Sequence, residues 1–205
     1  MNAFKRYKWT WILLAVCVVA AVYLVYNSLG FGKDKLPVIR EVGSYSMENV
    51  DGKTITSEDT KGKVKLMYFY FTSCPDVCPV TTLILSQIQE ELKKEELFGG
   101  EVNFVSISFD PKTDTKEKIK EFGDRFNADY SGWYFLRGDQ EETRKLMQDS
   151  FKIPLLGNDS TNFTHGNSIA LVDRDNNIRK MYNAGVPSDV KTEDIIQDIK
   201  TLIKE

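Results

Sequence analysis

Histidine is nearly missing from this chain. A single one, His165, occurs in 205 residues, and cysteine occurs only three times. A structural zinc site wants four ligands, usually with more cysteine and histidine than that. A Ser-His-Asp triad could draw only on His165, whose neighbours give no reason to propose one. No Walker loop, dinucleotide fingerprint, G-x-S-x-G or H-E-x-x-H motif occurs. Repeats and low-complexity tracts are absent too. So is any excess of positive charge: 27 Lys and Arg stand against 30 Asp and Glu, which makes nucleic acid a poor partner.

Long apolar runs are likewise scarce, with one exception. Trp9 to Tyr26 is apolar apart from Thr10, preceded by Lys5, Arg6 and Lys8 with no acid, and followed by Asn27, Ser28 and Gly30. At about 1.5 Å per residue the run spans most of a bilayer's hydrocarbon core. A membrane anchor, a cleaved signal peptide and a lipoprotein signal with Cys17 as acceptor compete for it. Bulky Val16 stands where a small residue should precede a lipidated cysteine, and no A-x-A-like site follows, so an uncleaved anchor is favoured. Cys17 then reads as a small lipid-facing residue. The basic flank expects a single-pass cell-membrane protein, its N-terminus cytoplasmic and the rest extracytoplasmic. With Lys5, Arg6 and Lys8 set aside, 24 basic residues face 30 acidic ones, and the exported part carries about −6. In an oxidising compartment its two cysteines, Cys74 and Cys78, could pair.

The expected organisation is an anchor over residues 1–30, a linker over 31–41 and one domain over 42–205, whose length suits a single core. "MENVDGKTIT" reads as a hairpin turning at Asp51-Gly52. Val64 to Thr72 is a strand buried on both faces. Val80, Ile84, Ile88 and Leu92, with Leu83, form a helical stripe. A strand over Val102 to Phe109, a helix carrying Ile119, Phe122 and Phe126, and a short strand over Trp133 to Leu136 follow. Asp139 and Glu142 suggest a capping box for a helix reaching Met147. A loop of about a dozen residues then precedes a second hairpin around "DRDNN", and a last helix has Ser188 as expected N-cap. Strands alternating with helices, closed by an antiparallel hairpin, predict an α/β domain with a central mixed sheet flanked by helices. A thioredoxin-like fold fits best.

"FYFTSCPDVCPVTT", Phe69 to Thr82, carries the chemistry. Pro79 sets the helix start at about Val77 or Cys78, so Cys74 lies in the loop and Cys78 near the helix N-terminus. There the positive end of the helix dipole favours thiolate, which suits a metal ligand and a redox nucleophile equally. Three residues separate the cysteines, not the two of a dithiol redox motif, and a structural disulfide remains open. His165 ends the long loop just before a core strand. In a thioredoxin-like fold that segment approaches the cysteine loop, and two thiolates with an imidazole suit copper in either oxidation state.

"FTSCPDVCPVTT", "VSISFDPKTDT" and "THGNSIALVD" resemble, in order and separation, the three signature segments of the SCO/SenC copper chaperones. The resemblance covers roughly Val42 to the C-terminus. It implies a membrane-tethered, thioredoxin-like domain on the extracytoplasmic side, holding one copper through Cys74, Cys78 and His165. It also implies a role in assembling the CuA centre of cytochrome c oxidase, with subunit II as partner. Copper delivery, reduction of that subunit's cysteines, or both would serve, and another copper donor or thiol reductant would act beside it. Thr164 stands where the family usually has aspartate, and Gly166 where serine is common. Asp76 and Asp110 fall at family aspartate positions and are candidates for supporting the ligands.

Other chemistries compete. A thiol-disulfide oxidoreductase would use Cys74 as attacking and Cys78 as resolving thiol, with no need of His165. A peroxidase of the peroxiredoxin kind shares the fold, but a second cysteine four residues on would close a short disulfide instead.

Overall fold

A computed structural model describes residues 7–28, 35–157, 159 and 162–205. The chain divides into two compact units between Lys35 and Leu36. In the first, a single helix, α1 (Lys8–Ser28), has 21 residues and so measures about 31 Å. By length and composition it can cross a membrane. Cys17 is exposed on it. Lys5, Arg6 and Gly30 of the expected anchor, and linker residues 31–34, lie outside the described residues.

The second unit is built on an eight-stranded mixed sheet. Its strands are β1 (Arg40–Glu41), β2 (Ser46–Asn49), β3 (Thr54–Thr56), β4 (Val64–Tyr70), β5 (Val102–Ser108), β6 (Trp133–Arg137), β9 (Ser168–Val172) and β10 (Asn177–Asn183), in the order β1-β10-β9-β4-β5-β6-β2-β3. A separate pair, β7 (Leu155–Leu156) and β8 (Thr164–His165), completes the set. β4, β5 and β6 run parallel and every other pairing is antiparallel. Every residue of β4 and β5 is buried, as central strands covered on both faces are, and the burial includes Lys65, Asn103, Ser106 and Ser108 among their apolar and aromatic neighbours.

The helices are α2 (Val77–Lys94), α3 (Lys116–Arg125), α4 (Gln140–Leu146) and α5 (Thr192–Ile203). Successive β4 side chains show which face each covers. Tyr70 stacks on Phe122 of α3 at 5.2 Å, and the Tyr68 hydroxyl reaches the Cys78 carbonyl of α2 at 3.5 Å. Phe69, between them, meets Phe151 of the π-helical turn that continues α4, at 4.9 Å. Helices therefore lie on both faces, as the thioredoxin-like architecture demands.

Most local expectations hold. Asp139 caps α4 by accepting from the Glu141 and Glu142 amides, and Gly52 takes φ +81° in the first hairpin. Three expectations change. Val80 and Leu83 of the α2 stripe are 40% and 48% exposed, while Thr81, Thr82 and Gln89 are buried. Each of those polar side chains has a hydrogen bond, to Val77, Cys78 and Asn127 carbonyls respectively, which makes their burial tolerable. Ser188 sits in a 3-10 turn, Pro187–Asp189, and α5 begins at Thr192 with Lys191 at the N-cap. The expected long loop contains the β7–β8 pair.

Candidate metal centre

The site grows from the end of β4. Past Tyr70 the chain turns tightly, the Cys74 amide donating to the Phe71 carbonyl at 3.3 Å. The start of this turn is gripped by Asp114, which no motif marks out. Its carboxylate accepts from the Thr72 amide at 3.1 Å, from the Thr72 hydroxyl at 2.5 Å and from the Ser108 hydroxyl at 2.5 Å. The only sequence signal for it is its place in "FDPKTDT".

α2 begins at Val77, as Pro79 in its first turn requires. Asp76 occupies the N-cap, but its side chain makes no cap hydrogen bond. The Cys74 sulfur accepts instead, from the backbone N–H groups of Asp76 and Cys78. A helix N-terminus has unsatisfied donors and a positive field, and here a sulfur takes the place of a capping oxygen. Cys74 is 9% exposed and Cys78 fully buried, and both are free thiols.

The two thiols diverge chemically. The Cys78 thiol donates to the Cys74 sulfur and, against the opposing effect of burial, with help from those amides and from His165, lowers the Cys74 pKa to about 6. The same contact, reinforced by burial, raises Cys78 far above an ordinary thiol. Cys74 is thus the thiolate at neutral pH and Cys78 its protonated partner.

His165 closes β8 opposite Leu155. Its ring lies edge-on to Phe109 at 4.7 Å and to Phe71 at 6.3 Å, the latter three residues before Cys74. Nδ1 lies 2.9 Å from the Gly166 carbonyl. Because a carbonyl can only accept, Nδ1 carries the hydrogen, and Nε2 is the nitrogen left to meet a metal. A main-chain oxygen thus orients the ring. Asn167 ties this segment to α2, donating to the Thr81 hydroxyl at 2.9 Å and to the Ala184 carbonyl at 2.8 Å.

The structure therefore brings Cys74 and Cys78 into contact and sets His165 near enough to act on Cys74. Among the described residues, no three Cys, His, Asp or Glu side chains form a ready metal cage. Of the other candidates, Asp76 is exposed and contributes its amide. Asp110 is fully buried, and neither of its carboxylate oxygens has a hydrogen-bond partner among the described residues. The donor set itself, two soft sulfurs and one imidazole nitrogen, fits copper in either oxidation state.

The SCO1/SenC family profile matches residues 34–204. A SCO1 protein homolog of Bacillus subtilis is 33% identical over 184 residues, covering 88% of this chain and 92% of its own. Among solved structures, BsSco, a member of the Sco family of cytochrome c oxidase assembly proteins in which a disulfide switch was identified, superposes with a TM-score of 0.71 at 32% identity, covering 83% of this chain and 96% of its own. ScoI of Arabidopsis thaliana, crystallised with copper bound, superposes with a TM-score of 0.63 at 27% identity, covering 77% and 97%.

Proposed function

Since the chain belongs to the SCO1/SenC family, we propose that it is a membrane-tethered, extracytoplasmic copper-binding protein that helps assemble the CuA centre of cytochrome c oxidase. In this reading residues 1–30 are the anchor, and the linker expected over 31–41 gives way to the working domain before Arg40, whose strand β1 already pairs with β10. Cys74, Cys78 and His165 Nε2 hold one copper ion, and oxidase subunit II receives it. The observation that carries the reading is the pairing of a Cys74 thiolate with the Cys78 thiol at a helix N-terminus, with an Nδ1-protonated His165 at the same end of the domain.

The residues divide the work. Cys74, already deprotonated near neutral pH, engages copper first. Cys78 loses its proton as its sulfur joins, because a cation beside a thiol removes the penalty that burial and Cys74 impose. The Gly166 carbonyl keeps the His165 hydrogen on Nδ1. Two thiolates can hold Cu(I) alone, whereas Cu(II) also calls on the imidazole.

A second reading is favoured by the divergence of the thiols. Cys74 as thiolate attacks a partner's disulfide sulfur, and Cys78 then attacks Cys74, leaving a Cys74–Cys78 disulfide here and a dithiol on the partner. Two electrons and the Cys78 proton pass to the partner, and its other sulfur leaves as a thiolate that takes a proton from water. The same exchange would prepare subunit II cysteines for copper.

The test is titration of the reduced full chain in detergent with Cu(II), following visible absorption and EPR, beside His165→Ala. A thiolate-to-copper band saturating at one equivalent and altered in the variant is expected. Oxidation of the cysteines with no stable copper, indifferent to His165, would favour the oxidoreductase. Stable copper on a sample whose cysteines are already oxidised would contradict both thiols as ligands.

A further inference from the structure

Beyond the ligands, one residue has the geometry to decide where the histidine sits. We propose that Arg144 is the positioning residue of His165: by clamping two carbonyls of the strand that pairs with it, the guanidinium holds the imidazole at the cysteine end of the domain. This rests on Cys74, Cys78 and His165 being the copper ligands.

β7 and β8 contribute two residues each, paired Leu155 with His165 and Leu156 with Thr164. A two-stranded hairpin far longer than this is marginal in water, so its position must be imposed from outside. Two of the external contacts are apolar. Leu155 is buried, and the Phe163 ring lies against Phe71 at 5.5 Å and Phe109 at 5.1 Å. Such contacts set how deeply the pair is seated but tolerate sliding, because hydrophobic burial has no direction.

Arg144 supplies the direction. Its Nη1 donates to the Leu155 carbonyl and its Nη2 to the Gly157 carbonyl at 2.7 Å. Leu155 is the residue directly across from His165. A planar fork spanning two carbonyls two residues apart fixes both the height and the orientation of that strand, which a single donor would not. Gly157 takes φ +87°, and a Cβ there would come within 2.2 Å of the Asn162 carbonyl oxygen, so the turn that presents its carbonyl requires glycine. The other end of the clamp is rigid. Arg144 lies in the last turn of α4, which Asp139 caps and which runs into the Phe151 contact with Phe69 of β4. Position is thereby relayed from a central strand through α4 to the histidine.

The experiment compares the reduced full chain in detergent as wild type, Arg144→Gln, Arg144→Lys and His165→Ala. Cu(II) and Cu(I) affinities, EPR nitrogen hyperfine structure and thermal melting are read for each. Arg144→Gln is expected to bind Cu(II) about 10–100-fold more weakly, with diminished hyperfine structure, and to keep its Cu(I) affinity. Arg144→Lys, which keeps charge and stem but has no fork, should fall between. If Arg144→Gln keeps wild-type Cu(II) affinity and hyperfine structure while His165→Ala loses them, the clamp is refuted and the ligand assignment stands. If His165→Ala itself behaves as wild type, the assignment fails. Equal loss of Cu(I) in both Arg144 variants would place the damage in the cysteine loop and overturn the positioning role.

Discussion

Cys78 donates its thiol hydrogen to the sulfur of Cys74, and this contact drives the two thiols in opposite directions: Cys74 down to about 6, Cys78 well up. Of the Cys74 and Cys78 pair, the metal-free protein should therefore show one reactive thiol. Alkylation of Cys74, followed by mass spectrometry, is expected to rise with pH to half its plateau at about 6, since only the thiolate reacts and it predominates above the pKa. Cys78→Ala removes the donor and should move that midpoint up toward an ordinary thiol. An unchanged midpoint would mean that the helix amides, and not Cys78, hold the thiolate.

Asp114 binds the entrance of the cysteine turn through Thr72 and ties it to the end of β5 through Ser108. Asp114→Ala would strand those donors in the interior, and a loss of about 3 kcal/mol in denaturant unfolding is expected. Because Thr72 precedes Cys74 by two residues, the Cys74 alkylation midpoint should shift as well. Thr72→Val, which removes only the hydroxyl, should cost about 1 kcal/mol. A wild-type midpoint in a folded Asp114→Ala would show that the turn holds its shape without the carboxylate.

Lys65 offers a pH test far from the site. Fully buried on β4, it donates to the Asn176 side-chain oxygen at 2.6 Å and to the Asp173 carbonyl at 3.1 Å. Burial pushes its pKa down to about 8 from 10.5. Between those values the unfolded chain binds more protons than the folded one, so stability rises with pH there; below about 8 the folded protein bears the full cost of a buried charge. Measured against Lys65→Met, the wild type should gain about 3 kcal/mol between pH 7 and pH 11. A constant difference would show that Asn176 and Asp173 compensate the charge completely.

Much of the site was legible because its signals are local. Pro79 can sit only in a first helical turn, so the order of Cys74 in a loop and Cys78 in a helix followed from residue type alone. The alternation of elements likewise implied the sheet. Val80 and Leu83 depart from the expected stripe because apolar periodicity carries no sign that Thr81, Thr82 and Gln89 are buried with partners. Those partners include a loop carbonyl that no helical period reveals. Ser188 looked like a cap, yet a 3-10 turn intervenes before α5.

By itself, then, the sequence determined the family, the strand-to-helix cysteine motif, the lone histidine and an N-terminal helix long enough to cross a membrane, since each depends on neighbouring residues or on composition. Only the tertiary structure decided which of Cys74 and Cys78 favours the thiolate, which nitrogen of His165 meets the Gly166 carbonyl, and that Asp114 grips the cysteine turn while Arg144 grips the strand across from His165. Those outcomes depend on distances between groups far apart along the chain. Hydrogen bonds and pKa values respond to such distances, and no local pattern encodes them.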